Sequence, residues 1–281
     1  MIPASFDYVR AGSADEAISL LGEHGDDAKL IAGGHSLLPL MKLRLATPSA
    51  LIDVGRLSEL SYIRDGGDHV AVGALTRHHD LEHSDLLGAQ VPLLRHAAGQ
   101  VGDPQVRHRG TIGGSVAHGD PASDLPAVLV ALRATLVAQG PNGAREIGVD
   151  DFFTGFLETA LGADELLTEI RVPKVPNAGW SFQKFNRRAQ DWAIVGVACI
   201  RNGTTGIGLV NVGSTPLRAT AAENAVGSGA SAADAANVAD EGTDPPSDLN
   251  ATPEFRRHLT KVLVRRALEE ARLLAPDQRS S

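Results

Sequence analysis

The sequence has almost no cysteine and few aromatic side chains. Cys199 is the only cysteine among 281 residues, and Phe, Trp and Tyr together make up 4%. A single cysteine excludes an internal disulfide framework, a cysteine-rich zinc site and an iron–sulfur cluster held by this chain alone. A reducing cytoplasm is the compartment that fits, and the scarcity of aromatics leaves little material to line a large apolar substrate pocket.

Clusters of positive charge and long hydrophobic runs are also missing. The chain has 26 Lys and Arg against 34 Asp and Glu, a formal net charge of −8, and no basic run forms a local exception. It therefore has no general attraction for nucleic acid or anionic lipid. No stretch approaches the roughly 18 apolar residues of a membrane-spanning helix, and residues 1–7 lack the charge pattern of an export signal, so we expect neither a transmembrane segment nor secretion.

Hydrophobic patterning predicts an α+β chain. A capping box at 13–16 begins a helix, and short apolar strands at 29–32 and 51–54 enclose a Gly-rich turn, which predicts a β-α-β-type opening. Further along, turn residues between alternating apolar segments predict hairpins at 62–74 and around 140–143. The chain thus changes from parallel to antiparallel pairing after its first region.

A boundary is predicted near residue 176. The segment 173–177 carries two prolines and an asparagine, a composition typical of a linker between domains. Beyond it we expect three strands and then helices as far as the C-terminus. The expected strands are 180–186, 193–200 and 207–212, and the last helix is 254–274.

Two short motif matches have plainer interpretations. Residues 227–232 fit the G-x-G-x-x-A dinucleotide fingerprint, but a helical segment precedes them where the fingerprint needs a strand, which favours a helix break. Residues 34–36 begin like the nucleophile elbow of a hydrolase, but Leu38 occupies the position where a second glycine must keep the turn clear.

A third match concerns a possible metal site. His79, Glu82 and His83 fit H-x-x-E-H on the segment 77–87, which we predict to be helical, so two imidazoles four residues apart share one face. The third ligand is unspecified and the surrounding residues are polar, so a solvated helix face is the plainer interpretation. We assign no metal ligand, and a metallohydrolase using these three side chains stays a distant alternative.

Two Gly-Gly motifs are the strongest sign of a binding site. They are Ala-Gly-Gly-His-Ser at 32–36 and Thr-Ile-Gly-Gly-Ser at 111–115, in a chain with 30 glycines. Backbone without Cβ atoms can turn its N–H groups onto a diphosphate at close range, and a serine hydroxyl adds a donor. Two ordinary tight turns are the alternative. A P-loop is excluded because the chain contains no G-x-x-x-x-G-K-[ST].

Three segments together resemble one known family. Residues 32–48, AGGHSLLPLMKLRLATP, residues 111–114, TIGG, and residues 119–127, GDPASDLPA, are similar to the medium, FAD-binding subunit of molybdenum hydroxylases, in particular its carbon monoxide dehydrogenase branch. The resemblance covers the whole chain. It implies an FAD-binding domain of the vanillyl-alcohol oxidase/p-cresol methylhydroxylase type at 1–176, with α+β subdomains of about 1–56 and 57–176, and a C-terminal domain at 177–281 with a small antiparallel sheet and helices.

The resemblance also implies the residues that hold non-covalent FAD. The two motifs would wrap its pyrophosphate, Asp124 would lie near the flavin or ribityl chain, Lys184 near the isoalloxazine, and Trp192 beside the flavin. The plain alternatives are a helix N-cap for Asp124, a solvent-facing Lys184 and a core position for Trp192. Ser115 stands where the family usually has Asn, so that donor has a shorter reach. The motif residues are Ala32, Gly33, Gly34, His35, Ser36, Thr111, Ile112, Gly113, Gly114 and Ser115.

By the same resemblance, the chain is expected to be an oxidoreductase flavoprotein subunit that transfers electrons. It would take them from [2Fe-2S] clusters on a small subunit and pass them to an external acceptor: quinone, NAD or oxygen. Substrate would be oxidised at a molybdenum cofactor on a large subunit, in a heterohexamer built as a dimer of heterotrimers. We expect a cytoplasmic complex that can meet the inner membrane face peripherally, and no catalytic acid or base on this chain. A self-sufficient FAD-dependent oxidase or reductase is the nearer alternative.

Overall fold

The computed structural model describes residues 2–273 and begins with a three-stranded parallel sheet of order β1-β3-β2. The predicted N-cap is confirmed, because the Ser13 hydroxyl accepts from the Glu16 amide, while the Glu16 carboxylate accepts from the Gly12 amide, one residue before the N-cap. The helix that follows buries its apolar face against this sheet. The elements are β1 (Asp7–Arg10), α1 (Ala14–His24), β2 (Ala28–Ile31), α2 (Leu37–Lys42) and β3 (Ala50–Asp53).

An antiparallel sheet of order β4-β5-β10-β6-β7 forms the second region. Both predicted hairpins are present in it, and short helices pack over it. The elements are β4 (Ile63–Asp65), β5 (His69–Gly73), α3 (His78–Glu82), α4 (Asp85–Gln90), α5 (Pro92–Gly99), α6 (Pro104–Arg109), α7 (Ile112–His118), α8 (Asp124–Leu132), β6 (Thr135–Gly140), β7 (Gly143–Gly148), α9 (Val149–Phe152), β8 (Phe153–Gly155), β9 (Glu158–Thr159) and β10 (Leu166–Pro173).

A four-stranded antiparallel sheet of order β11-β12-β13-β14 forms the third region. One face packs on α12, and the other on α8 of the preceding region. Mixed helices and sheets with this small C-terminal antiparallel sheet confirm the α+β class. The elements are β11 (Gly179–Phe185), β12 (Val195–Asn202), β13 (Thr204–Val210), β14 (Leu217–Arg218), α10 (Thr220–Gly227), α11 (Ala232–Asn237) and α12 (Pro253–Leu273).

The contact between α8 and β13 depends on glycine. A Cβ atom added at Gly208 would lie 1.9 Å from the Ala127 carbonyl oxygen, and one at Gly206 would lie 2.2 Å from the Ala131 carbonyl oxygen. All nine residues of α8 are buried, with apolar neighbours on both sides. This helix therefore sets the position of the third sheet relative to the second.

One predicted helix is wrong, and one helix was not predicted. The single helix expected at 77–87 is divided into α3 and α4, because the Ser84 side chain caps a new helix by accepting from the Leu87 amide. The second Gly-Gly motif, where no helix was predicted, lies at the start of α7. The helix break at 227–232 is confirmed, since α10 ends and α11 begins there.

The end of the chain and its domain boundary were also predicted from the sequence. Residues 274–281, at the end of the predicted second domain and last helix, lie outside the described residues, as does Met1. The boundary at 176 falls between β10 and β11 and stays a prediction. None of the helices between residues 2 and 273 has the length and hydropathy to cross a bilayer.

Candidate functional site

A cavity of about 730 Å³ lies where the three sheets approach one another. Its wall includes the first Gly-Gly motif after β2, the starts of α7 and α8, and a side chain from β11. Of the predicted site residues, Ile112 alone is absent from its wall; this side chain is fully buried in the apolar core instead. The predicted residues that line the cavity are Ala32, Gly33, Gly34, His35, Ser36, Thr111, Gly113, Gly114, Ser115, Asp124, Lys184 and Trp192.

The first motif offers unused hydrogen-bond donors. None of the amide N–H groups from 33 to 36 donates to another residue within the described range 2–273, and the Ser36 hydroxyl makes no capping bond to α2. Gly34 has φ of +77°, a left-handed conformation that favours glycine. A Cβ at Gly33 would lie 2.3 Å from the Arg109 carbonyl oxygen, so only glycine fits between this turn and the end of α6.

The second motif contributes packing rather than free amides. The Gly113 amide donates to the Ala74 carbonyl at 2.8 Å, and the Ile112 amide donates to the Thr76 carbonyl at 3.0 Å. Thr111 is the N-cap of α7, and its hydroxyl accepts from the Gly114 amide. A Cβ at Gly113 would lie 2.5 Å from the Ala74 Cβ, so glycine at this position lets α7 approach the residue that follows β5. The expectation that both motifs offer free amide N–H groups to a diphosphate therefore fits the first motif only.

Asp124 and Lys184 form a buried ion pair in the cavity wall. Lys184 Nζ lies 2.6 Å from Asp124 Oδ2 and 2.9 Å from the Gln100 carbonyl oxygen, which it also contacts as a donor. The two side chains are 6% and 7% exposed for Asp124 and Lys184 respectively. Ser123 is the N-cap of α8, so the N-cap interpretation of Asp124 was wrong, as was the solvent-facing interpretation of Lys184.

One oxygen of that carboxylate is left unsatisfied. Asp124 Oδ1 is buried and has no hydrogen-bond partner among the described residues. Burial raises the pKa of Asp124 from 3.8 to about 6, although the Lys184 charge acts in the opposite direction. Because Asp124 belongs to the cavity wall, a ligand with a hydroxyl or N–H donor within reach of this oxygen would satisfy it.

Trp192 lies at the rim of the cavity. It is 55% exposed, so the core interpretation was wrong. It also lines a neighbouring cavity of about 720 Å³, whose wall includes Phe156 and Arg256. An exposed indole between two cavities is placed to contact a ligand that extends through the opening.

Sequence reasoning missed His78. This residue of α3 is 4% exposed and lines the main cavity, with Nδ1 unpaired among the described residues. Burial lowers its pKa to about 4, which keeps the imidazole neutral. A histidine in a polar helical segment gives no sign of burial. The His78 ring packs against Gly110, where an added Cβ atom would lie 2.7 Å from the ring.

Two family models match the chain. The model described as "FAD binding domain in molybdopterin dehydrogenase" matches residues 4–175. The model described as "CO dehydrogenase flavoprotein C-terminal domain" matches residues 180–271. Together they extend over nearly all of the sequence.

Similar proteins support the same family. The carbon monoxide dehydrogenase medium chain of Hydrogenophaga pseudoflava is 42% identical over 282 residues, which cover 96% of this chain and 98% of that protein. The 6-hydroxypseudooxynicotine dehydrogenase complex subunit alpha of Paenarthrobacter nicotinovorans is 40% identical, with 96% of each chain covered.

Solved structures give the same result. Carbon monoxide dehydrogenase from Hydrogenophaga pseudoflava, in a form lacking the Mo-pyranopterin moiety of its cofactor, superimposes with a TM-score of 0.93 at 43% identity, covering 98% of this chain and 100% of that one. Quinoline 2-oxidoreductase from Pseudomonas putida 86 gives a TM-score of 0.89 at 32% identity, covering 98% and 99%. The chain belongs to the FAD-binding medium subunits of molybdopterin dehydrogenases, an oxidoreductase family of the carbon monoxide dehydrogenase type.

Proposed function

We propose that this chain holds FAD in a molybdenum hydroxylase, and that the FAD passes electrons from an iron–sulfur partner to an external electron acceptor. The observation that carries the proposal is one cavity whose wall includes residues 33–36, with their unused amides, and Asp124, with its unpaired Oδ1. FAD, when bound, can exchange electrons singly or in pairs, which suits it to join one-electron and two-electron partners.

The residues present fit a flavin dinucleotide. Free amides beside a left-handed Gly34 provide neutral donors for a diphosphate, with no basic side chain required. The volume of about 730 Å³ is in the range of cofactor pockets. Asp124 Oδ1 supplies an acceptor for a hydroxyl or N–H group of the ligand.

The other residues hold and shield the ligand. Lys184 fixes Asp124 through its buried ion pair and adds a positive charge beside the cavity. Ser115, in place of the family's usual Asn, contributes a shorter side chain to the wall. Trp192 lies at the rim, where it would shield the bound ligand from water. No general acid or base is assigned, since the chemistry of the substrate belongs to another chain.

Partners and assembly follow from the same proposal. A large subunit would hold the molybdenum cofactor, a small subunit the [2Fe-2S] clusters, and two such heterotrimers would associate. The names of two similar proteins refer to substrates as different as carbon monoxide and 6-hydroxypseudooxynicotine. Similar medium chains thus occur with different substrates, which supports substrate selection on another subunit. Quinone, NAD and oxygen are the acceptors to compare.

Reconstitution tests this proposal. The purified full-length chain is incubated with FAD, freed of excess cofactor and examined for a stoichiometric flavin absorption band. Co-purification with large and small subunits from the same genome then tests the assembly. Absence of bound flavin would overturn the proposal, and turnover of a small organic substrate by the chain alone would favour the self-sufficient oxidase or reductase.

A further inference from the structure

A second cluster of ligand-type side chains lies outside the cofactor cavity. His79, Glu82 and His83 of the α3 region each offer one ligand atom, and these atoms all lie within 4.8 Å of one another. The three residues do not line the main cavity. The cluster therefore has no role in the site described above.

A third imidazole, on another helix, lies beside this cluster. Between ring centroids, His108 on α6 lies 4.0 Å from His79, and His83 lies 4.2 Å from His79. His79 thus sits between two imidazoles from different elements. Nothing in the sequence spacing connects His108 with the H-x-x-E-H match, which left that motif without a further ligand.

We propose that this cluster is a binding site for a divalent transition-metal ion of the zinc class, with His79, Glu82 and His83 as ligands and His108 completing the set. Zinc binds nitrogen and carboxylate oxygen at about 2.0–2.2 Å, which separates neighbouring tetrahedral ligands by roughly 3.4 Å. The separations among His79, Glu82 and His83, at most 4.8 Å, need movements of about 1 Å, and His108 would join them by rotation of its ring. His83 and His108 are exposed and His79 and Glu82 are half-buried, so the rings have room to turn and the ion has access.

Hydrogen bonds already orient two of the ligands. His83 Nδ1 lies 2.8 Å from the His79 carbonyl oxygen, so this nitrogen carries the proton and donates, which leaves Nε2 as the metal-binding atom. Arg107 Nε donates to Glu82 Oε2 at 2.8 Å and holds the carboxylate. Bonds of this kind from outer groups to metal-binding histidine and carboxylate fix the ligands in place. A set dominated by imidazole favours zinc, nickel or copper over calcium or magnesium.

The proposed ion would connect two helices that are too short to be stable alone. α3 has five residues and α6 has six, whereas isolated helices need about 12 or more. α6 leads directly into Gly110 and the N-cap of α7, and the amide of His78 donates to the Gly110 carbonyl at 3.1 Å. We assign the ion a structural role, because its ligands lie outside the cavity.

Metal titration of the full-length chain tests the site. The protein is treated with a chelator, dialysed and titrated with Zn²⁺ alone, with bound metal measured by equilibrium dialysis and thermal stability followed in parallel. We expect one equivalent of tight binding and a rise in melting temperature. His79→Gln and His83→Gln should each weaken that equivalent at least tenfold and remove the rise.

Matched controls separate this site from general histidine binding. His24→Gln and His258→Gln change exposed imidazoles elsewhere and should leave the tight equivalent unchanged. Circular dichroism and FAD content, compared with the parent chain, check that each variant is folded. No stoichiometric zinc, or tight binding that persists in both His79→Gln and His83→Gln, would overturn the proposal. Unchanged affinity in His108→Gln would remove His108 from the ligand set.

Discussion

Lys184 and Asp124 are 60 residues apart in sequence, yet Nζ of one lies 2.6 Å from Oδ2 of the other. Their contact joins β11 of the C-terminal sheet to the first turn of α8. Since both side chains are almost fully buried, neither charge has water as a substitute partner. The pair therefore links the folding of the two regions to the geometry of the cavity wall.

Removal of the lysine should strongly destabilise the chain. Lys184→Met leaves the Asp124 carboxylate buried without its partner, and we expect a loss of about 3 kcal/mol in the free energy of unfolding, measured by urea denaturation at pH 7. The double variant Lys184→Met/Asp124→Asn should recover much of this loss. Arg265→Ala breaks an exposed pair with Glu269 and should change stability by less than about 1 kcal/mol. Equal effects of the buried and exposed changes would contradict the expectation.

The raised pKa of Asp124 predicts a pH dependence of stability. Because the folded pKa of about 6 exceeds the ordinary 3.8, the folded state binds more protons than the unfolded state between these values. The stabilisation from the neutral form is present below pH 3.8 and lost as pH rises through 6. At about 1.4 kcal/mol per pH unit, the loss amounts to about 3 kcal/mol.

This dependence is measured against a matched variant. Urea denaturation of the full-length chain without added FAD is compared with that of Asp124→Asn between pH 4 and 7. As pH rises, the free energy of unfolding of the parent chain should fall by about 3 kcal/mol relative to that of Asp124→Asn, because the amide of the variant stays neutral. Titrating groups that do not contact Asp124 cancel in the comparison. Parallel pH profiles for the two proteins would show that Asp124 does not titrate in this range.

A methyl group in the first motif should weaken FAD binding. Gly33→Ala places Cβ against the Arg109 carbonyl oxygen, which forces the turn and the end of α6 apart. We expect at least tenfold weaker FAD binding, followed by flavin fluorescence. Gly22→Ala, in α1 with nothing within 4 Å, is the control and should be neutral or stabilising by up to about 1 kcal/mol. Unaltered FAD affinity in Gly33→Ala would mean that this turn does not bind the diphosphate of FAD.

A methyl group in the third sheet should separate it from α8. Gly208→Ala would place Cβ 1.9 Å from the Ala127 carbonyl oxygen, and backbone on both sides cannot yield easily. We expect a loss of about 1–3 kcal/mol or more, seen as a lower melting temperature. Gly227→Ala, at the open end of α10, should leave the melting temperature nearly unchanged.

Features set by neighbouring residues were predictable from the sequence. The capping box of Ser13 and Glu16 and the hairpins depend on residues a few positions apart, so pattern and spacing suffice to locate them. The turn at the first Gly-Gly motif was also predictable, because adjacent glycines followed by serine are typical turn residues. Its role as the amide-rich part of the cavity still needs the ligand to test it.

Features that depend on distant residues were not predictable in this way. The burial of Lys184 follows from its pairing with Asp124, and a lysine between apolar residues on a strand resembles a surface position. β1 has mostly exposed residues and lacks the alternation that marks a strand, yet it forms through parallel pairing with β3. The helical start at Thr111 was missed because two adjacent glycines usually interrupt a helix.

Burial of α8 on every side has a consequence for how the chain unfolds. Its apolar residues contact α5 in one direction and β12 and β13 in the other, so neither half of the protein keeps a complete core when the other is absent. A fragment ending near residue 176 would present one flank of this helix to water and would aggregate. The two halves are therefore expected to melt in one cooperative transition, even though their sheets share no strand.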